Sequence, residues 1–572
     1  PAGARWMPVG EEVIGGALLL GLCLRQLRGG SAPLGCRPRC GSCPALPWPL
    51  SRLRRRGDVV SALRHEVLSR KRSQTQDINT LLLRPDPSRD LSQSYERLEE
   101  LGHGGFGAVY RVRYKPTDQE RALKVIPKPG DAEKLRLLLN EAQLLVSLDH
   151  PNIMKLYEIF ENASCLCLVV ELCDGGDFSE LDMHADDPDE VRLLFRDVIG
   201  AIAYCHNEGV AHRDLKFANC LIMVGTSSQR RVGKVIDFGL AAIRRAGRTE
   251  DKWMSDGVGT LHFAAPEVVE CEYDSSRYGL ECDMWSIGVM LYIVLTDQHP
   301  VGYAGVPKDE YISRIRRCRV NLAPLESEAV DSLARDLVQK LLVKTPAGRL
   351  TALETLKHRW LSHADSPSGL DASSRGDSSI PRTPHTSSRS LRTMIGRAGS
   401  FAGYSRFEQA VLTLAAHEAR SDEVEDLRAA FVALDTARAG WLSRDDFCAA
   451  IAARGIRLDP QDLRSLLGAL DPDGDGTIQY TEWLAATLEP AYLSSERAVR
   501  ELFDFFDLHG TGRVWSEDLR EALGAEVAQA VVWRASYGSP DEGLSLDDFR
   551  RLMQDTAGRL ESQSRRRLPR RG

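Results

Sequence analysis

A few widely separated residues in the middle of the chain are of the types that phosphoryl transfer requires. Lys124 in RALKV stands seventeen positions before Glu141. A lysine gripping anionic phosphates needs a carboxylate to hold it, and a strand followed by a helix can supply one. AHRDLKFANC provides Asp214 to accept the proton of an attacking hydroxyl, Lys216 to neutralise the moving phosphoryl group and Asn219 to ligate magnesium. VIDFGL adds Asp237, a second magnesium ligand, directly after an apolar run. LGHGGFGAV, from Leu101 to Val109, sets Gly102, Gly104, Gly105 and Gly107 between two apolar runs, where backbone amides can approach phosphates closely. Phe106 at its tip is the candidate cap over the nucleotide, with a core position as the alternative. Seen singly, Lys124 and Glu141 read as an ordinary surface ion pair. In one order and spacing the set is specific. A dinucleotide-binding reading fails because a strand, not a helix, follows the glycines.

A second chemistry lies far downstream. DPDGDGTIQYTE fills every demanding position of a twelve-residue calcium loop. Asp471, Asp473 and Asp475 stand at positions 1, 3 and 5, and Gly476 permits the turn. Thr477 offers its carbonyl, Gln479 sits at position 9 and Glu482 can bind with both oxygens at position 12. Ile478 is the apolar residue that pairs with a neighbouring loop. First acids at Asp435, Asp471 and Asp507 recur every 36 residues, an internal repeat. The siblings are poorer. Loop 435–446 keeps Asp435 and Asp446 but has Ala437 and Ala439 where oxygens are needed. Loop 507–518 keeps Asp507, Thr511 and Asp518, with His509 at position 3, and reads as a marginal calcium site. A degenerate fourth loop, 537–548, begins on Tyr537. One competent site, one marginal site and two structural shells are expected.

The elements that must position these residues follow from periodicity. YERLEELG, AVYRVRY and RALKVI predict three strands, Lys134 to Val146 a helix, and CLCLVVEL another buried strand. From about Val191 to Leu361 the spacing is mainly helical. Residues 1–94 read as a disordered Arg- and Pro-rich leader; its apolar run Val13 to Leu24 is too short to span a bilayer, and membrane contact, for instance through acylated Cys36, Cys40 or Cys43, is left open without support. Residues 362–400 read as a serine-rich linker and 401–420 as a junction helix with Phe407, Ala410, Val411, Leu414 and Ala415 on one stripe. Residues 421–555 hold the calcium-loop units, and 556–572 form a basic tail. A net charge of −7 argues against nucleic-acid binding, and thirteen scattered cysteines suggest reduced thiols.

Residues 95–361 resemble a eukaryotic protein kinase catalytic domain, a match that continues through GTLHFAAPE, DMWSIGV and Arg349. The resemblance implies an α+β bilobal kinase fold followed by an all-α EF-hand domain. It also implies a buried pair of Glu267 with Arg349, Asp283 bracing the catalytic loop, and Glu171 and Cys173 meeting adenine through their backbone. HRDLK with Lys216, and Thr260, resemble serine/threonine kinases. Departures are Ala218, where many relatives carry a substrate-binding glutamate, and Phe263, where tyrosine is usual. Acids Glu250, Asp251 and Asp256 could pair with Arg213 in place of a phosphate; Thr249 and Ser255 keep phosphorylation open.

Kinase, amphipathic junction and four EF-hand-like units in that order resemble the calcium-dependent protein kinases of plants and protists. The resemblance implies ATP, Mg²⁺ and Ca²⁺ as cofactors, protein substrates, and a junction helix that blocks the kinase at rest until the EF-hands take hold of it. A monomeric, cytoplasmic protein is expected. The competing reading is a constitutively active kinase with largely vestigial EF-hands.

Overall fold

The computed structural model describes residues 13–14, 91–104, 107–128, 132–161, 164–183, 186–224, 230–243, 259–274, 278–362, 388–472, 474–523, 525–536 and 543–567. Two compact units divide the chain. One takes Pro1–Val59, Gly209–Lys216 and Leu240–Leu350; the other takes Val60–Glu208, Phe217–Gly239 and Thr351–Gly572.

The larger unit opens with five antiparallel strands: β1 (Tyr95–Gly104), β2 (Gly107–Tyr114), β3 (Gln119–Pro127), β4 (Leu156–Glu161) and β5 (Cys165–Val170), in the order β1-β2-β3-β5-β4. Val112, Tyr114, Leu123, Tyr157 and Val169 form one buried cluster, the inward side of the alternation seen in the sequence. Helix α1 (Ala132–Ser147) buries Leu138, Ala142, Leu145 and Val146, which share one face at helical spacing. Helix α2 (Pro188–Asn207) starts with Asp187 accepting the Asp189 amide and with proline in its first turn, where a missing N–H costs nothing. A hairpin of β6 (Cys220–Val224) and β7 (Arg231–Val235) pairs Cys220 with Val235, so Asn219, just before the first strand, and Asp237, just after the second, lie at the same open end.

In the smaller unit, α3 (Pro266–Asp274) and α4 (Cys282–Thr296) lie near the pair Glu267 and Arg349. Helix α4 is apolar nearly all round and correspondingly buried. Arg349 meets both carboxylate oxygens of Glu267, at 2.7 and 3.0 Å, and also donates to the carbonyls of Glu281 and Val343. The guanidinium is thus fully engaged inside the fold. Two residues of the leader, Val13 and Ile14, depart from expected disorder: they pair antiparallel with Thr260 and Gly259, as β-branched residues can on a short free edge.

The remainder of the larger unit is helical: α5 (Ser388–Phe401), α6 (Arg406–Glu418), α7 (Glu425–Leu434), α8 (Arg444–Ala453), α9 (Pro460–Leu470), α10 (Tyr480–Thr487), α11 (Glu496–Phe506), α12 (Ser516–Leu523), α13 (Ala525–Ala535) and α14 (Leu546–Arg567). These pack around one core that includes Phe431, Phe447, Trp483, Phe506 and Phe549. Leu442 pairs with Ile478, joining the first loop to the second, and Val514 bridges to Leu544 in the same way.

Two boundaries need correction. The linker drawn to residue 400 ends by Ser388, because Leu391, Met394, Ile395 and Ala398 make a stripe that α5 buries in this core. The junction is therefore two helices broken at 402–405, not one helix over 401–420. The basic tail drawn from 556 is helical to Arg567, since Ala557 and Leu560 are core residues. The junction stripe itself stands as read, with Phe407, Val411, Leu414 and Ala415 buried in the same core.

Candidate active site and calcium loops

Each unit holds part of the phosphate-transfer set. In the larger, the Lys124 ammonium lies 2.6 Å from Glu141 and 3.1 Å from Asp237. Burial alone would lower the lysine pKa, but the two carboxylates outweigh it and hold the ammonium charged, well above its usual value. β3 and α1 supply the first two groups, and the turn after β7 supplies Asp237. Asp237 adopts a positive φ of 62°, a conformation uncommon for a side-chain-bearing residue. Asn219 is buried in a short 3₁₀ turn, and its carbonyl accepts the Ile236 amide at 3.0 Å, tying it to the residue that precedes Asp237.

The glycine hairpin has Gly102 opposite Val109 and Gly104 opposite Gly107. At Gly107, with φ of 131°, a Cβ would stand 2.0 Å from the Val125 carbonyl oxygen, so no side chain fits. A Cβ on Gly102 would meet nothing. Leu101 is exposed beside it. Gly105 and Phe106 lie outside the described residues, as do Glu250, Asp251, Asp256, Thr249 and Ser255. Glu171 follows β5; its amide donates to Lys155, and its carboxylate meets Lys234 at 2.7 Å. Cys173 is two residues on and half-buried.

In the smaller unit, Thr260 donates to Asp214 at 2.8 Å, and Lys216 lies 3.4 Å from the same carboxylate. Asp283 accepts the amides of His212 and Arg213 at 2.9 and 2.8 Å, bracing the backbone that leads to Asp214. Arg213 donates to the Leu240 carbonyl and to the Tyr278 hydroxyl.

In the second loop the Asp471 carboxylate is buried and accepts the amides of Gly474, Asp475 and Gly476 at 2.7, 3.1 and 3.0 Å. Gly474 and Gly476 carry positive φ with open space where a Cβ would project, the freedom this turn needs. Glu482 accepts the Gln479 amide at 2.8 Å, and Asp475 accepts from Thr477. Hard oxygens on a closed turn fit a calcium ion. Asp473 lies outside the described residues. In the third loop Asp507 accepts from Thr511 and Gly512, while one oxygen of buried Asp518 has no hydrogen bond and stands 3.9 Å from His509. In the first, Asp435 accepts the amides of Ala439 and Gly440, but Ala437 and Ala439 bring no side-chain oxygen to the turn.

Residues 95–361 match the protein kinase domain family, and residues 424–488 match an EF-hand domain pair. The chain is 30% identical over 442 residues to Calcium-dependent protein kinase 34 of Arabidopsis thaliana, covering 76% of this chain and 79% of that one. Calcium-dependent protein kinase 17 of the same plant is 29% identical, over 82% and 84% of the two chains. Calcium-dependent protein kinase 4 of Plasmodium falciparum (isolate 3D7) is 28% identical, over 81% and 86%. This chain belongs to the calcium-dependent protein kinase family. The expected fold class holds with it: a kinase domain with a five-stranded sheet lobe and helical regions, followed by a helical EF-hand domain.

Sequence reasoning missed a group of contacts inside the larger unit that this family member builds between its sheet and its EF-hand helices. Arg121 of β3 is buried and donates to Glu418 at the end of α6 at 2.9 Å and to the Tyr95 hydroxyl at 3.0 Å. Its guanidinium stacks 4.0 Å from the Tyr157 ring centre. Lys155 donates to the Ala419 carbonyl at 2.9 Å. Burial pushes the adjacent His417 imidazole down to about 3, so it packs neutral. Asp149 accepts the amide and hydroxyl of Thr481 at 2.8 and 2.9 Å. Gly440 of the first loop rests on Tyr204, where a Cβ would approach the ring to 2.6 Å. The sequence offered little signal, because Arg121 follows Gln119 and Glu120 at the polar start of β3, where a charged residue is ordinary.

Proposed function

We propose that this protein is a calcium-regulated serine/threonine kinase that transfers the ATP γ-phosphate to protein hydroxyls. Lys124, held by Glu141, would bind the nucleotide phosphates beneath the glycine hairpin, with Leu101 and Val109 against the base and the backbone of Glu171 and Cys173 at its edge. Asn219 and Asp237 offer oxygens that suit magnesium, which when bound neutralises phosphate charge. Asp214 would accept the substrate hydroxyl proton, with Lys216 and Thr260 orienting it. The free cysteines among the described residues support a reducing compartment, and none of the described helices is long and apolar enough to cross a membrane.

The observation that carries regulation is the Asp149–Thr481 contact. Asp149 lies two residues beyond the helix bearing Glu141, and Thr481 directly precedes Glu482, the position-12 calcium ligand. Calcium drawing in Glu482 would shift the start of α10, and Asp149 would pass that shift toward α1. The junction is proposed to act through the same module, released from blocking the kinase when α6 is held in the EF-hand core. Ala437 and Ala439, which leave the first loop short of side-chain oxygens, favour the rival reading of a constitutive kinase.

Peptide phosphorylation measured with calcium and with chelator separates the two; equal rates would sink calcium regulation. Glu482→Gln removes the position-12 negative charge altogether and replaces one of the two ligating oxygens with an NH2 group that cannot bind a cation. Its expected result is loss of stimulation, with calcium affinity lowered about tenfold or more. An unchanged calcium curve would favour the vestigial reading.

A further inference from the structure

The second calcium loop is not left with its own amides alone. Arg444, position 10 of the first loop, reaches across the short pairing of Leu442–Ser443 with Thr477–Ile478 and places its Nη2 and Nε atoms 2.6 and 2.8 Å from Asp471 Oδ2. That oxygen also accepts the Gly476 amide, while Oδ1 accepts those of Gly474 and Asp475. Asp471 is therefore saturated with donors, and one of them is a full positive charge. The Asp471 side chain is 0% exposed whereas Arg444 is 43% exposed, so the guanidinium can leave toward water while the carboxylate cannot.

We propose that Arg444 is a tethered cation that competes with calcium at the second loop and sets its affinity. The inference rests on the reading of 471–482 as a calcium site. A cation arriving at Asp471 meets a like charge within the same carboxylate's reach, in a partly buried setting where screening is weak. It must either tolerate that charge or displace it. Both routes weaken calcium binding, because the pair stabilises the loop without metal. The first loop, having lost its oxygens at Ala437 and Ala439, thus acts on its neighbour: it supplies charge where it can no longer supply ligands.

The test is calorimetric titration of the full-length chain with calcium, comparing wild type, Arg444→Gln and Arg444→Lys, each also in a Glu482→Gln background. Arg444→Gln is expected to bind calcium about tenfold more tightly at one site, the size expected for removing one nearby charge. Arg444→Lys, which keeps the charge but loses the paired donors, should fall between the two. The gain should vanish with Glu482→Gln, which assigns it to the second loop. An affinity in Arg444→Gln equal to or weaker than wild type overturns the proposal. Wild-type protein that binds no calcium overturns the reading of the loop itself. Circular dichroism of each variant guards against misfolding, and a folded Arg444→Lys keeps the comparison decisive if Arg444→Gln is unstable.

Discussion

Asp237→Asn is expected to lower peptide phosphorylation by about a thousandfold, while the protein keeps its melting temperature. Two losses coincide at this position. An amide cannot anchor a dication as a carboxylate can, and it gives up one of the two anionic partners of Lys124, at 3.1 Å. The fold should tolerate the change because asparagine is among the few residues at ease with the positive φ of 62° found here. Lys124 also keeps Glu141, at 2.6 Å. Phosphorylation rates at saturating ATP and magnesium, with a thermal melt alongside, check it. Activity within tenfold of wild type would remove Asp237 from the metal site.

Arg121→Ala carries the largest expected effect on stability. Arg121 and Glu418 are 1% and 7% exposed, and truncating one partner leaves the other charge buried without compensation. Breaking such a pair costs about 3–5 kcal/mol. The loss should fall on the attachment of the junction to the sheet, because Tyr95 and the Tyr157 ring lose the same partner. Urea denaturation read by tryptophan fluorescence should show a lower midpoint. The double variant Arg121→Met with Glu418→Leu should recover most of it, since an apolar pair of similar size needs no charge balance. A single variant as stable as wild type would show that the charge pair is not what fastens the junction.

The two chemistries were legible for different reasons. Lys124, Asp214, Asn219 and Asp237 are short-range motifs whose spacing follows from strand and turn geometry, and the second calcium loop is contiguous. The Arg121–Glu418 pair spans 297 residues, and nothing local marks its two ends as partners. Asp149 and Thr481 are likewise ordinary residues until the fold sets them together. α5 was hidden because serine, arginine and glycine outnumber the four apolar residues on its stripe, so composition outvoted periodicity. The end of α14 was hidden in the same manner by its arginines. The role of Arg444 was hidden because a loop template weighs each loop alone and does not ask what it lends its neighbour.

The contact between α5 and α14 has a practical side. Tyr404 shares a hydrogen bond with Ser564, so the segments that enter and leave the helical module are clasped to one another. Counting calcium loops would suggest trimming this module to its repeats, yet that cut would discard both halves of the clasp. The natural scissor marks lie before Ser388 and after Arg567.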